Sequence, residues 1–146
     1  MGLRNILRGK HVYFDTNIFI YLLEGNSSLE SCLQELRLAI RDDALQVSSC
    51  DLVFTEILPP LVKRQDRAAI ESTTALLGEG GAFTMHPLSK ETCIQAAFFR
   101  GETGMKTPDA LHVASALEAG CDIFLTNDKG IRLPDAMKRV IISDFT

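Results

Sequence analysis

One stretch near the amino terminus, Val12-Tyr13-Phe14-Asp15-Thr16-Asn17-Ile18-Phe19-Ile20-Tyr21-Leu22-Leu23, constrains the fold of this chain more than any other. Val12, Tyr13 and Phe14 are β-branched or aromatic, the composition of a buried central strand. Beyond Asp15 the apolar spacing turns helical. Ile18, Tyr21 and Leu22 recur on one face, Thr16 or Asn17 can cap the first turn, and Gly25 can end it. A strand that stops at a carboxylate and runs straight into a helix fits an α/β sheet. Asp15 then stands at the carboxyl end of its strand, where open α/β sheets build their ligand sites.

The rest of the chain repeats this alternation. Ser27 and Glu30 form a capping box before an amphipathic helix carrying Leu29, Cys32, Leu33, Leu36 and Ile40, which ends near Arg41. Asp42 and Asp43 turn the chain into a short strand over Ala44–Ser48. Ser49 or Asp51 starts a helix with Leu52, Val53, Glu56 and Ile57, which Pro59 and Pro60 are expected to kink or end. Asp66 begins another, marked by Ile70, Leu76 and Leu77 and closed by Gly78-Glu79-Gly80-Gly81. Ala82–Met85 reads as a third strand. Ser89 caps the next helix, whose Cys93, Ile94, Ala97 and Phe98 are expected to face inward, and Gly101-Glu102-Thr103-Gly104 breaks it. In Lys106-Thr107-Pro108-Asp109, Thr107 suits the N-cap and Pro108 the first helical position, so Asp109 falls in the first turn. Gly120 ends that helix, Ile123–Leu125 is a buried strand, and Val140–Ile142 supplies the last. The pattern predicts one α/β domain over residues 1–146, with a mostly parallel central sheet and helices on both faces.

With 146 residues and 46% hydrophobic content, the chain has material for one core and needs no second domain. Its net charge of −4 argues against a polyanion binder that works through a broad basic face. If four of the 19 acids converge on one site and hold cations, the remaining 15 balance the 15 lysines and arginines, so the rest of the surface can still guide a phosphodiester. Cys32, Cys50, Cys93 and Cys121 lie far apart, with no C-x-x-C pair and no histidine in ligand register, and read as reduced cysteines rather than a zinc or thiol–disulfide site. The amino terminus has no long apolar stretch, Ile6 fails the myristoylation pattern, and no run reaches transmembrane length. A cytoplasmic protein is expected.

Three further acids share the placement of Asp15. Glu56, Asp109 and Asp128 each fall near a helix start or a strand end, beside apolar sequence. Carboxylates gathered without a counterion repel one another and take up protons, a penalty that a divalent cation removes. Mg²⁺ or Mn²⁺ prefers oxygen ligands, uses few protein carboxylates and keeps water positions that a phosphate can share. Such a site can activate water against a phosphodiester without a nucleophilic Ser or Cys.

The residues also resemble a family. Asp15-Thr16-Asn17, Glu56 within Leu52–Leu58, Thr107-Pro108-Asp109-Ala110-Leu111-His112 and Thr126-Asn127-Asp128 look like the four acidic motifs of PIN domains, most of all the VapC ribonuclease toxins, over about Val12 to Ser143. The resemblance implies a Mg²⁺- or Mn²⁺-dependent endoribonuclease, usually dimeric, that acts on RNA and is neutralised by a small antitoxin encoded beside it. It implies Asp15, Asp109 and Asp128 as metal ligands, and Glu56 as holder of a metal-bound water or as base. Thr16, Asn17 and Thr126 would orient these groups through hydrogen bonds. Of the adjacent Asn127 and Asp128, only one need point inward.

Other features have plainer readings. Asp51 and Asp122 read as cap or strand-end residues. His112 follows Asp109 by one turn, but Leu111 and Val113 around it favour a packed, hydrogen-bonded histidine over a catalytic one. Lys106, Lys129 and Arg132 flank the acidic motifs and can reach RNA phosphate. A phosphoacceptor signalling domain would need an acidic pair after the first strand, and an Asp-nucleophile phosphatase a second Asp two residues on, where this chain has Asn17. A housekeeping RNA-processing nuclease and a binding module that keeps the fold without catalysis both remain compatible with the sequence. The apolar residues of Leu29–Ile40 are expected to offer an antitoxin helix its docking face.

Overall fold

The computed structural model describes residues 2–78 and 81–146, so Glu79 and Gly80 of the expected glycine-rich loop lie outside the described residues. Five strands, β1 (His11–Phe14), β2 (Gln46–Cys50), β3 (Phe83–His86), β4 (Ile123–Thr126) and β5 (Lys138–Ile141), form one sheet in the order β3-β2-β1-β4-β5. Every pairing is parallel. The chain builds outward from β1 through β2 to β3, then returns to the other side of β1 for β4. The reversal of strand order therefore falls between β1 and β4, whose carboxyl ends flank the position where open α/β sheets form their ligand crevice.

Among the described residues, seven helices surround the sheet: α1 (Leu3–Leu7), α2 (Thr16–Glu24), α3 (Glu30–Arg41), α4 (Leu52–Lys63), α5 (Arg67–Leu76), α6 (Lys90–Thr103) and α7 (Thr107–Glu118). Because strand side chains alternate, β1 serves two cores. Val12 and Phe14 join Val47, Ile123 and Leu125 beneath α1, α2 and α3, while Tyr13 joins Cys50 and Phe124 beneath α7. Strands β1 and β4 are apolar on both faces, as strands covered on both sides require.

Most element ends follow local chemistry. Asp15 caps α2 by accepting from Thr16 N, Asp66 caps α5 through Ala69 N, and Ser89 caps α6 through Thr92 N. Gly25 and Gly104 close α2 and α6 at φ 79° and 74°, a backbone region open to glycine and costly for other residues.

Five expectations are corrected. Asn26, not Ser27, caps the chain before α3, accepting from Ser28 N to start a short 3-10 turn over Ser27–Leu29 in place of a capping box. The second strand lies two residues later than expected, placing Ser49 inside it. Pro59 and Pro60 do not end α4, which continues to Lys63. Both prolines are exposed, so water can reach the side of the helix where the Thr55 and Glu56 carbonyls lose their amide partners. On α6 the inward residues are Thr92, Ala96 and half-buried Phe99, which lie against α7, while Ile94 and Phe98 stay 50% and 63% exposed. Small side chains let the two helices approach, and the Thr92 hydroxyl donates to Glu118 Oε2 across the contact at 3.0 Å. Finally, Leu29, Cys32, Leu33 and Leu36, expected to face a partner, are buried in the domain's own core, and Ile40 alone of that set is only half-buried.

Candidate active site

At the carboxyl ends of β1 and β4 lie Asp15 and Asp128, while Glu56 comes from α4 and Asp109 from α7. Asp15 follows β1 directly, and its amide donates to Leu125 O of β4, which ties the two strand ends together. Its carboxylate is buried but well supplied with donors. Oδ1 accepts from Thr16 N at 2.8 Å, and Oδ2 accepts from Thr126 Oγ1 at 2.7 Å and Asn17 Nδ2 at 3.3 Å. Thr126, fully buried at the end of β4, also accepts from Asn17 Nδ2 at 3.2 Å and from Asp128 N at 3.0 Å. One hydroxyl thus fixes the acid of the first strand and the turn that carries the last acid.

Asn127 and Asp128 divide their work. Asn127 is used in structure: its amide donates to Asn17 Oδ1, its Nδ2 to Tyr21 Oη, and its Oδ1 accepts from Ser143 N. Asp128 is exposed, with Oδ1 accepting from Gly130 N at 2.8 Å. Asp109 sits half-buried in the first turn of α7, with α7 beginning at Thr107 so that Lys106 rather than Thr107 occupies the cap position. Burial pushes the Asp109 carboxyl above its ordinary value, and the charges of Asp15, Asp128 and Glu56 push it further, against the pull of His112. Asp109 therefore stands within electrostatic reach of the other three acids. Among the described residues, however, no three His, Cys, Asp or Glu side chains form a ready-made metal-binding group.

These motifs span almost the whole chain, and a family model for the PIN domain matches residues 12–136. The chain belongs to the PIN domain family. A search of curated proteins gave no match. Among solved structures, this PIN domain is similar to a toxin-antitoxin complex from Klebsiella pneumoniae, at 19% identity and TM-score 0.64, covering 90% of this chain and 97% of that one. It is also similar to VapBC2 from Rickettsia felis bound to a promoter DNA fragment, at 16% identity and TM-score 0.65, covering 90% and 98%. At such identities the likeness is one of fold.

In this PIN domain Glu56 is not a solvated helix residue. Its Oε1 accepts from Thr16 Oγ1 and from His112 Nε2, each at 2.7 Å. Burial raises its pKa, but the hydrogen bonds from His112 and Thr16 outweigh that and hold it below the usual value. His112 is the residue that sequence reasoning undervalued. It is packed and hydrogen-bonded, as expected, yet it lies at the centre of the polar network: Nδ1 is 2.8 Å from Tyr13 Oη and 3.7 Å from Cys50 Sγ, and Nε2 is 3.8 Å from Asp15 Oδ1. Burial would lower its pKa, while the hydrogen bonds to Cys50 and Glu56 and the charge of Asp15 raise it to about 10. The one available signal was that its side chain sits one turn from Asp109 on a helix whose next five positions are apolar or small.

The basic residues Lys106, Lys129 and Arg132 are all exposed; Lys106 precedes α7, which carries Asp109, and Lys129 directly follows Asp128. Asp122 serves the opposite end of the sheet, where Oδ2 accepts from His11 N. Among the described residues no helix is long and apolar enough to cross a membrane, and all four cysteines are free.

Proposed function

We propose that this PIN domain is a divalent-metal-dependent endoribonuclease that hydrolyses RNA phosphodiester bonds, and that it is the toxin of a VapBC-type pair. The observation that carries the reading is the grouping of Asp15, Asp109, Asp128 and Glu56 near one another: burial pushes the Asp109 carboxyl up, and the charges of the other three acids push it further. An oxygen-only set of donors with excess negative charge fits Mg²⁺ or Mn²⁺, which need only one or two carboxylates directly and fill the rest of their shell with water and substrate phosphate. Asp15, Asp109 and Asp128 would hold the ion. The chemistry such an ion supplies is activation of water and relief of the charge that develops on the displaced oxygen.

The chain's own residues then do defined work. Thr126, Asn17 and the Thr16 amide fix both oxygens of Asp15, so its orientation is set before substrate arrives. Glu56 stays ionised beside His112 and can accept a proton from the attacking water. Lys106, Lys129 and Arg132 are free to contact backbone phosphates on either side.

The toxin assignment is supported by the two structural neighbours, both toxin–antitoxin assemblies. In place of α3, an open groove of about 310 Å³ between α2, α4 and α5 suits an antitoxin segment. Ile20, Leu23, Ile57 and Leu61 give it an apolar wall and Glu56 lies on its rim, so a bound segment could present a basic side chain to the acids. A cytoplasmic homodimer completes the reading.

Purified protein should cleave RNA with Mg²⁺ or Mn²⁺, lose the activity in EDTA, and lose it again in Asp15→Asn, which removes a charge at constant volume. Millimolar Mn²⁺ should raise the melting temperature through binding to the native state, and less so in Asp109→Asn. Expression without a partner should arrest growth, with Asp15→Asn relieving the arrest. A fully active but harmless enzyme would make it a housekeeping nuclease, and a folded wild type that cleaves nothing with either metal would make it a binding module.

A further inference from the structure

We propose that Tyr13 and His112 act together as positioning residues for Glu56, holding its Oε1 and leaving Oε2 as the oxygen that works in the crevice. The effect on rate rests on the nuclease reading, whereas the geometry stands without it.

Proton accounting around His112 leads to this. Thr16 has one hydroxyl proton, and it goes to Glu56 Oε1 at 2.7 Å. Thr16 Oγ1 can therefore only accept from His112 Nε2, 3.1 Å away, and an ionised carboxylate can only accept as well. Nε2 faces two acceptors and must carry a proton, whether the ring is neutral or cationic. Both contacts to Glu56 fall on the same oxygen, Oε1.

The other end of the ring decides whether this aim is kept. Nδ1 meets the Tyr13 hydroxyl at 2.8 Å, closer than the Cys50 sulfur at 3.7 Å. Tyr13 is itself immobile: it is fully buried, its ring stacks on Phe124 with centroids 5.2 Å apart, and it meets His112 edge-on at 5.8 Å. Glu56, by contrast, is on α4 with 31% of its side chain exposed, and a glutamate there would otherwise sample several rotamers. Strand β1 therefore sets two acids at once. Asp15 is placed directly by the strand end, and Glu56 is placed from two residues earlier, through Tyr13 and the imidazole.

Tyr13→Phe tests the idea because Tyr13 touches none of the acids. In protein that still melts cooperatively, kcat for RNA cleavage should fall about tenfold while KM stays within twofold, a loss in the range for removing the partner that orients an active-site ligand. In a Glu56→Gln background the same substitution should add nothing, since the group it positions has already gone. His112→Gln, which keeps an amide donor, should retain more activity than His112→Ala. Nitrogen NMR of labelled histidine should find Nε2 protonated in the wild type at every pH where the protein is folded, with its proton exchanging faster in Tyr13→Phe. An unprotonated Nε2, an unchanged kcat in folded Tyr13→Phe, or full additivity with Glu56→Gln overturns the proposal. If the wild type cleaves no RNA, the nuclease reading fails and the NMR result alone decides the geometry.

Discussion

Replacing Thr126 by Val keeps the shape of a fully buried side chain and removes the hydroxyl that joins β1 to β4 at the crevice. Three hydrogen bonds change: Thr126 Oγ1 to Asp15 Oδ2, Asn17 Nδ2 to Thr126, and Asp128 N to Thr126. The first dominates, since a bond to an ionised group contributes roughly 1.5–3 kcal/mol. Asn17 Nδ2 keeps Asp15 Oδ2 as a partner at 3.3 Å, and Asp128 lies in an exposed turn where water can take its amide, so these two add little. The additional buried methyl returns less than about 1 kcal/mol. The net loss is about 2 kcal/mol, or a fall in melting temperature of roughly 4–8 °C for a domain of this size. Thermal and urea unfolding in EDTA would measure it without interference from metal binding. Thr126→Ser, which keeps the hydroxyl, should recover most of the difference, and cleavage should follow the same order, falling roughly 10–100-fold in the Val variant. A Val variant that melts within about a degree of the wild type would show that Asp15 does not depend on this hydroxyl.

Two further predictions concern pH. Asp109 has a raised pKa in the folded state, so its ionisation opposes folding: the penalty is absent below the ordinary carboxylate range and complete once pH exceeds the raised value. Asp109→Asn should therefore stabilise the metal-free protein at pH 7 and not at pH 3, and equal melting curves at pH 7 would contradict this. His112 runs the other way. With its pKa raised from 6.5 to about 10, it contributes stability that is fully present below about pH 6.5 and lost as pH climbs to about 10. In His112→Gln the fall in stability across that interval should flatten, and an unchanged pH dependence would show that the histidine is not charged in the native protein.

Where sequence and structure agree, the signal was local. The step from Val12-Tyr13-Phe14 to helical spacing located the end of β1 because a change of hydrophobic period is written in adjacent residues. Pro108 and Gly120 framed α7 for the same reason. What the sequence hid depends on neighbours distant along the chain. Which face of α6 turns inward is decided by close packing against α7, and this selects Thr92 and Ala96 over the larger Ile94 and Phe98. The persistence of α4 through Pro59 and Pro60 depends on solvent reaching one side of it. His112 gave little sign of its importance because its partners, Tyr13, Thr16, Cys50 and Glu56, come from four other elements and none lies within one helical turn of it.

The bond from Thr126 to Asp15 crosses 111 positions of sequence. Strand β1 leaves a ribosome long before its neighbour β4, and closing so long a span is slow compared with forming the local helices. At ordinary rates of synthesis several seconds separate the two strands. Until β4 docks, Asp15 has lost its strongest donor, and the turn that carries Asp128 has nothing to rest on. A growing chain, or one cut short before Ile123, would carry three of the four acids and no crevice to hold them. Competence of the site comes only once β4 has been made and has docked beside β1.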